Sequence, residues 1–140
     1  MLVKTFHLDV VSAESRIFSG SVKNFLVTAC MGDIGVFYGH TALLTKLLPG
    51  RLRILKANFQ EEFIYVSGGV LEIQPTISTL LADTAIRGQD LDLQKVESVK
   101  KKAEKMMTGK GESVDIELAS SELEKAVAQL RVLELSKRFR

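Results

Sequence analysis

The spacing of apolar residues changes once along this chain, and that change divides what it can fold into. Up to about Asp83 apolar side chains recur at every second residue in short runs: Phe6, Leu8 and Val10; Leu52 and Ile54; Phe63 and Tyr65; Ile77, Thr79 and Leu81. A period of two is that of strands. Turn-forming residues separate the runs, at Ser19-Gly20, Gly32 with Gly35, Pro49-Gly50, Gly68-Gly69 and Pro75, and they leave room only for short strands and hairpins. Many short strands so punctuated predict a β-sandwich or barrel. No stretch of this half has the length and 3.6 period of a crossover helix.

After Arg87-Gly88 the period lengthens. Val96, Val99, Ala103 and Met106 fall on one face of a helix, Asp90 and Asp92 suit its N-terminal end, and Glu97 lies one turn before Lys101. Thr108-Gly109-Lys110-Gly111 ends it. A second helix, starting near Ser113 or Asp115, sets Ile116, Ala119, Leu123, Ala126, Leu130 and Leu133 in a stripe of near-heptad spacing, which is a packing face. A short loop between two amphipathic helices predicts an antiparallel hairpin. The expected fold is therefore α+β: an antiparallel β-sandwich over 1–86 and a two-helix hairpin over 87–140. A hairpin of about 50 residues is too small to be secure on its own core, so it should lean on another surface. At about 1.5 Å per residue its helices, laid end to end, would reach on the order of 70 Å, which suits a mobile arm.

Charge and cysteine content remove several classes of function. Nineteen basic residues against seventeen acidic give a net charge of only +2, too little for a protein that binds by neutralising many phosphates. Lys100, Lys101 and Lys102 point in different directions on a helix and lack an aromatic platform, so they read as a solvated face. Gly109-Lys110-Gly111-Glu112-Ser113 shares a core with phosphate-binding loops but lacks the longer glycine-rich sequence and a preceding strand, so it reads as the hairpin turn. Cys30 is the only cysteine, and with two histidines it gives no ligand set for structural zinc. A reducing, cytoplasmic setting fits. The start, Met1 to Val11, interleaves Lys4, His7 and Asp9 with apolar residues, unlike a signal peptide. No catalytic constellation appears.

Several ordered stretches resemble the epsilon subunit family of F-type ATP synthases. They are Phe6-His7-Leu8-Asp9-Val10-Val11-Ser12-Ala13-Glu14 with Phe18-Ser19-Gly20; Gly32-Asp33-Ile34-Gly35-Val36 leading into Gly39-His40-Thr41-Ala42-Leu43-Leu44-Thr45; Glu61 to Pro75; Leu81 to Gly88; and Ala128-Gln129-Leu130-Arg131-Val132. The resemblance implies a sandwich seated on the gamma subunit and the ring of c subunits. It also implies a helical hairpin with compact and extended forms, the extended one reaching the alpha and beta subunits to restrain hydrolysis. It implies a non-catalytic chain at the cytoplasmic face of a bacterial inner membrane, held there only through its complex.

The same resemblance nominates residues. The segment from Gly32 to Thr45 is similar to the family's ring-contact loop, with Asp33, Tyr38 and His40 as candidates; from the residues alone, Gly32 and Gly35 closing a hairpin and His40 making a local hydrogen bond suffice. Arg131, Lys137, Arg138 and Arg140, opposed only by Glu134, form a basic tip that in the extended form would meet an acidic segment of the beta subunit. They equally suit a helix C-terminus. Some relatives bind ATP through an aliphatic residue, Asp, two variable positions, Arg and Ala. Here the match is Leu91, Asp92, Lys95 and Val96, which loses the planar donor, so weak ATP binding or none is expected and no cofactor is required. Without the resemblance, a stand-alone adaptor with a sandwich scaffold and a partner-binding helix pair is a second reading.

Overall fold

The computed structural model describes residues 4–108 and 116–138. Its strands are β1 (Phe6–Ser12), β2 (Arg16–Ala29), β3 (Gly32–Phe37), β4 (Leu43–Lys56), β5 (Glu61–Val66), β6 (Gly69–Ile73), β7 (Ile77–Ala82) and β8 (Ala85–Arg87). A 3-10 turn at Gly88–Asp90 leads to α1 (Leu93–Thr108) and α2 (Ile116–Arg138). Arg87, the first residue of the expected second segment, closes β8. The helix connection anticipated at 109–115 lies outside the described residues.

The sandwich closes because β2 and β4, at 14 residues each, serve both layers. The first half of β2 pairs with β1, Phe6 opposite Val22, and its second half lies between β3 and β4. In turn β4 starts beside β6, Thr45 opposite Leu71, and ends between β2 and β5, with Leu52 opposite both Val27 and Ile64. One layer is thus β3-β2-β4-β5-β8 and the other β2-β1-β7-β6-β4. The expectation of an antiparallel sandwich holds for every ladder but one: β1 and β7 run parallel, His7 opposite Ile77. Their direction is free because no tight turn joins them.

Between the layers lies a core drawn wholly from strand residues, among them Leu8, Val10, Val22, Phe25, Leu47, Leu52, Ile54, Ile64, Leu71 and Leu80. Alternation selects these side chains on β1 and β4 as the sequence predicts. On β7 it selects the other set. Ser78, Leu80 and Ala82 are buried, whereas Ile77 and Leu81 are 42% and 54% exposed. The ladder dictates this, since Leu80 faces Leu71 and Ser78 faces Ile73 on β6. Gly69 lets β6 reach that register, for at φ +138° its missing Cβ would stand 2.1 Å from the Leu81 carbonyl oxygen.

On β5 four consecutive residues, Phe63 to Val66, are buried, so period two fails to distinguish its faces. Ile64 and Val66 enter the sandwich core. Phe63 and Tyr65 face outward and are covered by α2.

Candidate functional site

The junction between sandwich and hairpin is built around Arg87. Its Nη1 lies 2.5 Å from Glu62 Oε1, and Nη2 donates to the Ile17 carbonyl. The other Glu62 oxygen, Oε2, lies 3.0 Å from Lys56 Nζ. One carboxylate thus holds two cations and ties the end of β8 to β4 and β5, while the guanidinium also grips β2. With the charge on both sides matched, these ion pairs tie down the pivot from which the helices leave.

The helices lean on a second, smaller apolar body. Phe63, Tyr65 and Val132 are buried together, flanked by Ile86, Leu91, Ala128 and Leu135. Between the helices Val96, Ala126 and Leu133 form a further cluster with Leu91 and Leu130. Leu91 belongs to both and joins the seat to the hairpin's own interior. Tyr65 is only 1% exposed, and burial pushes its phenol pKa up to about 12, with the Glu122 and Glu124 carboxylates adding to the rise and the Gln129 side chain opposing it.

The expected α2 stripe is half of the truth. Ala119, Ala126 and Leu133 are buried, and Leu123 and Leu130 half-buried. A second face, Ala128, Val132 and Leu135, turns to the sandwich. The side chain of Ile116 lies outside the described residues. On α1 Val96 and Ala103 are buried, but Val99 is exposed beside Lys102, Met106, Leu118 and Glu122. An ion pair on this helix joins Lys100 and Glu104 at 3.8 Å.

The nominated ring-contact residues do not share one loop. Gly32 to Phe37 is strand β3 and Leu43 already belongs to β4, so the loop is confined to 38–42; the pairing of β3 with β2 is what converts the rest. Asp33 sits near the start of β3, 3.3 Å from Arg51 Nη2. Tyr38 and His40 lie past its other end, roughly five residues and 17 Å away at strand rise. Tyr38 is 43% exposed with Lys4 Nζ 5.0 Å from its ring centroid, and His40 Nδ1 donates to the Thr41 carbonyl at 2.6 Å. The loop abuts the β6–β7 turn, where the Gly39 N–H donates to the Pro75 carbonyl.

Asp33 instead shares a crevice with a residue of the basic tip. Thr28, Asp33, Gly50, Arg51, Glu124 and Arg131 all line it, so α2 brings Arg131 over the β3–β4 layer. Lys137 is exposed at the end of α2. The Arg138 side chain and Arg140 lie outside the described residues.

In the stretch compared with an ATP motif, every position but one has a structural task. Asp92 Oδ1 accepts from the N–H groups of Gln94 and Lys95 at 3.0 and 3.4 Å and caps α1. Leu91 is in the helix seat and Val96 in the hairpin's own interior, and Lys95 is exposed. No group of three potential metal ligands occurs among the described residues.

Two family models match the chain in tandem. The delta/epsilon chain β-sandwich domain of ATP synthase matches residues 5–88, and the delta/epsilon long α-helix domain matches residues 89–134. The chain belongs to the ATP synthase delta/epsilon chain family. As a delta/epsilon chain it is a non-catalytic component of the synthase. A chain in the Euglena gracilis mitochondrial ATP synthase, from an assembly of OSCP, F1 and c-ring in rotational state 1, is similar at TM-score 0.82 and 19% identity, over 92% of this chain and 81% of that one. One in the Tetrahymena thermophila mitochondrial ATP synthase central stalk and c-ring is similar at TM-score 0.61 and 11% identity, over 93% and 97%. At such identities the likeness is one of fold. No helix among the described residues is long and apolar enough to cross a membrane.

One polar group of this delta/epsilon chain escapes the sequence reading. On the outer face of the β1–β7–β6 layer, Ser19 Oγ donates to Asp9 Oδ1 at 2.6 Å, and His7 Nε2 lies 2.9 Å from the same oxygen. The Ser19 hydroxyl, then His7, hold the Asp9 pKa below the ordinary carboxylate value against the opposing effect of burial. Because the serine proton points at the carboxylate, the trio is a clasp across β1 and β2 and not a nucleophile with its base. The i, i+2 spacing of His7 and Asp9 puts both on one strand face, but nothing local brings Ser19 to them.

Proposed function

We propose that this chain is an epsilon-type subunit of the central stalk in a bacterial ATP synthase, at the cytoplasmic face of the inner membrane. Its sandwich couples the gamma subunit to the c-ring, and its hairpin restrains hydrolysis when released. The observation that carries this reading is the separation of the helix seat from the sandwich core. The core closes with residues 6–85 alone, while the hairpin rests on a satellite cluster of a few side chains. Small satellite clusters open at lower cost than the global core, so the hairpin can leave without unfolding its support.

Surface chemistry supports the partner assignment. The outer face of the β1–β7–β6 layer, which the helices leave uncovered, exposes Ile77 and Leu81 together with Val70 and Leu44, the last at 70%. Such a patch suits a protein neighbour, and gamma is its proposed occupant, with Tyr38 and His40 at its margin. Asp33, at the far end of β3, is the proposed contact with basic loops of the ring. In the released form Arg131 and Lys137, with Arg138 and Arg140, are proposed to meet acidic groups among the alpha and beta subunits. Tight nucleotide binding is not part of the proposal, because Asp92 is engaged as a cap and lysine stands where a guanidinium is needed; calorimetry with ATP should show no tight complex.

The test is ATP hydrolysis by epsilon-depleted F1 titrated with the full chain and with a chain ending at Gly88. Inhibition by the first alone, with both bound, is the expected result. Equal inhibition by both would remove the hairpin as the brake, and failure of both to bind would overturn the assignment to the stalk.

A further inference from the structure

The last turn of α2 returns to the pivot from which the hairpin starts. There it meets Gly88, the first residue of the 3-10 turn. The backbone does not call for glycine at this place, since the glycines at positive φ are Gly32, Gly39, Gly68 and Gly69. Packing does. A methyl group at position 88 would stand 1.8 Å from Ser136 Oγ, 2.9 Å from Ser136 Cβ and 3.2 Å from the Phe63 carbonyl oxygen.

These distances rank the ways out. Rotation about the Ser136 Cα–Cβ bond clears the hydroxyl, but the Cβ itself is fixed by the helix and stays well inside the 3.5–4.0 Å at which carbons rest. Retreat toward the sandwich is closed by the Phe63 carbonyl on β5. The remaining way out is for α2 to lift, and α2 is held at this end by Val132 and Leu135 on Phe63 and Tyr65. Packed interfaces of this kind give way as units.

We infer that Gly88 and Ser136 form a steric key for the docked hairpin, so that side-chain volume at the pivot sets the balance between docked and released helices. They are positioning residues: neither needs to touch a partner chain. Residue 88 faces Ser136 only while α2 is seated, so added volume acts on the docked state and leaves the released state as it was. The consequence for hydrolysis rests on the function proposed above; the key itself does not.

The test uses the full-length chain. Gly88→Ala is expected to speed amide hydrogen exchange over residues 126–135 by about 5- to 160-fold, the range of overpacking penalties, with exchange in β1 and β7 unchanged. Adding Ser136→Gly should bring exchange back to within about threefold of Ser136→Gly alone, which is the baseline because glycine itself weakens the helix. Unchanged exchange in Gly88→Ala, or no recovery in the double variant, would overturn the key. Should Gly88→Ala fail to fold, Ser136→Leu presses on the same gap from the helix side and must release α2 likewise. In the depleted-F1 assay Gly88→Ala should inhibit at lower concentration than the parent chain. Altered exchange with unaltered inhibition would leave the key standing and overturn the functional reading instead.

Discussion

At the scale of single residues, two carboxylates tie together segments distant in sequence, and they differ in kind. Asp9 is half-buried on the outer face of a sheet and answers first to a hydroxyl, whereas Glu62 is nearly enclosed and answers to two cations. A carboxyl held below its unfolded pKa contributes stability that is present above that value and is lost as pH falls through the folded one. Ser19→Ala removes the largest cause of the lowering, so the Asp9 titration should move upward, read from the pH dependence of its carboxyl carbon shift, and the acid-side loss of stability should lessen. Removing Glu62 has the opposite weight. Glu62→Ala leaves Arg87 and Lys56 without their shared counter-charge, and should lower the stability by about 1–3 kcal/mol, measured as a lower urea midpoint at unchanged slope. Neither role is visible in the sequence. Ser19 and Asp9 are ten residues apart and Glu62 and Arg87 twenty-five, and only the strand pairing brings them within a hydrogen bond.

At the scale of elements, what was legible depended on how many faces each element buries. β1 and the second half of β4 bury one face, and alternation names it correctly. β7 carries Ile77 and Leu81 on its outer face, so a reading by apolar residues chooses the wrong side, and only its partners on β6 decide. α2 buries two faces, one on α1 and one on β5, and a single stripe describes the first and misses Val132, which is fully buried. The Gly32–Thr45 segment read as a loop because its glycines are turn signals, yet only Gly32 and Gly39 take positive φ, at the two ends of β3, and Gly35 sits inside the strand. The seat of α2 has its own pH dependence. Tyr65 titrates near 12 when covered and near 10 when exposed, so the protonated phenol favours docking. That contribution is complete below about pH 10 and is lost as pH rises toward 12. Amide exchange of α2 followed across this window should accelerate in the parent chain, and the acceleration should shrink in Tyr65→Phe.

At the scale of the whole molecule, two bodies of unequal security share one chain: a closed sandwich and a hairpin resting on its flank. A chain ending at Gly88 should keep its β-sheet circular dichroism and unfold in one urea transition, with a smaller slope than the full chain because less surface is buried; loss of the sheet signal would show that the sandwich depends on the helices. The period change at Arg87 revealed this division, while the closure of the sandwich through two shared strands and the one parallel ladder could not be read from it, since both rest on pairings distant in sequence. That parallel ladder has a consequence in time. His7 faces Ile77 and Ser12 faces Ala82, so the first strand of the sandwich waits during synthesis, unpaired on that side, for nearly the last strand of its domain. Closing so long a loop slows folding, and until then the waiting strand is exposed to other nascent copies. The early hairpin with β2 covers its other edge, and the helices follow the strands, when the seat that receives them has been completed.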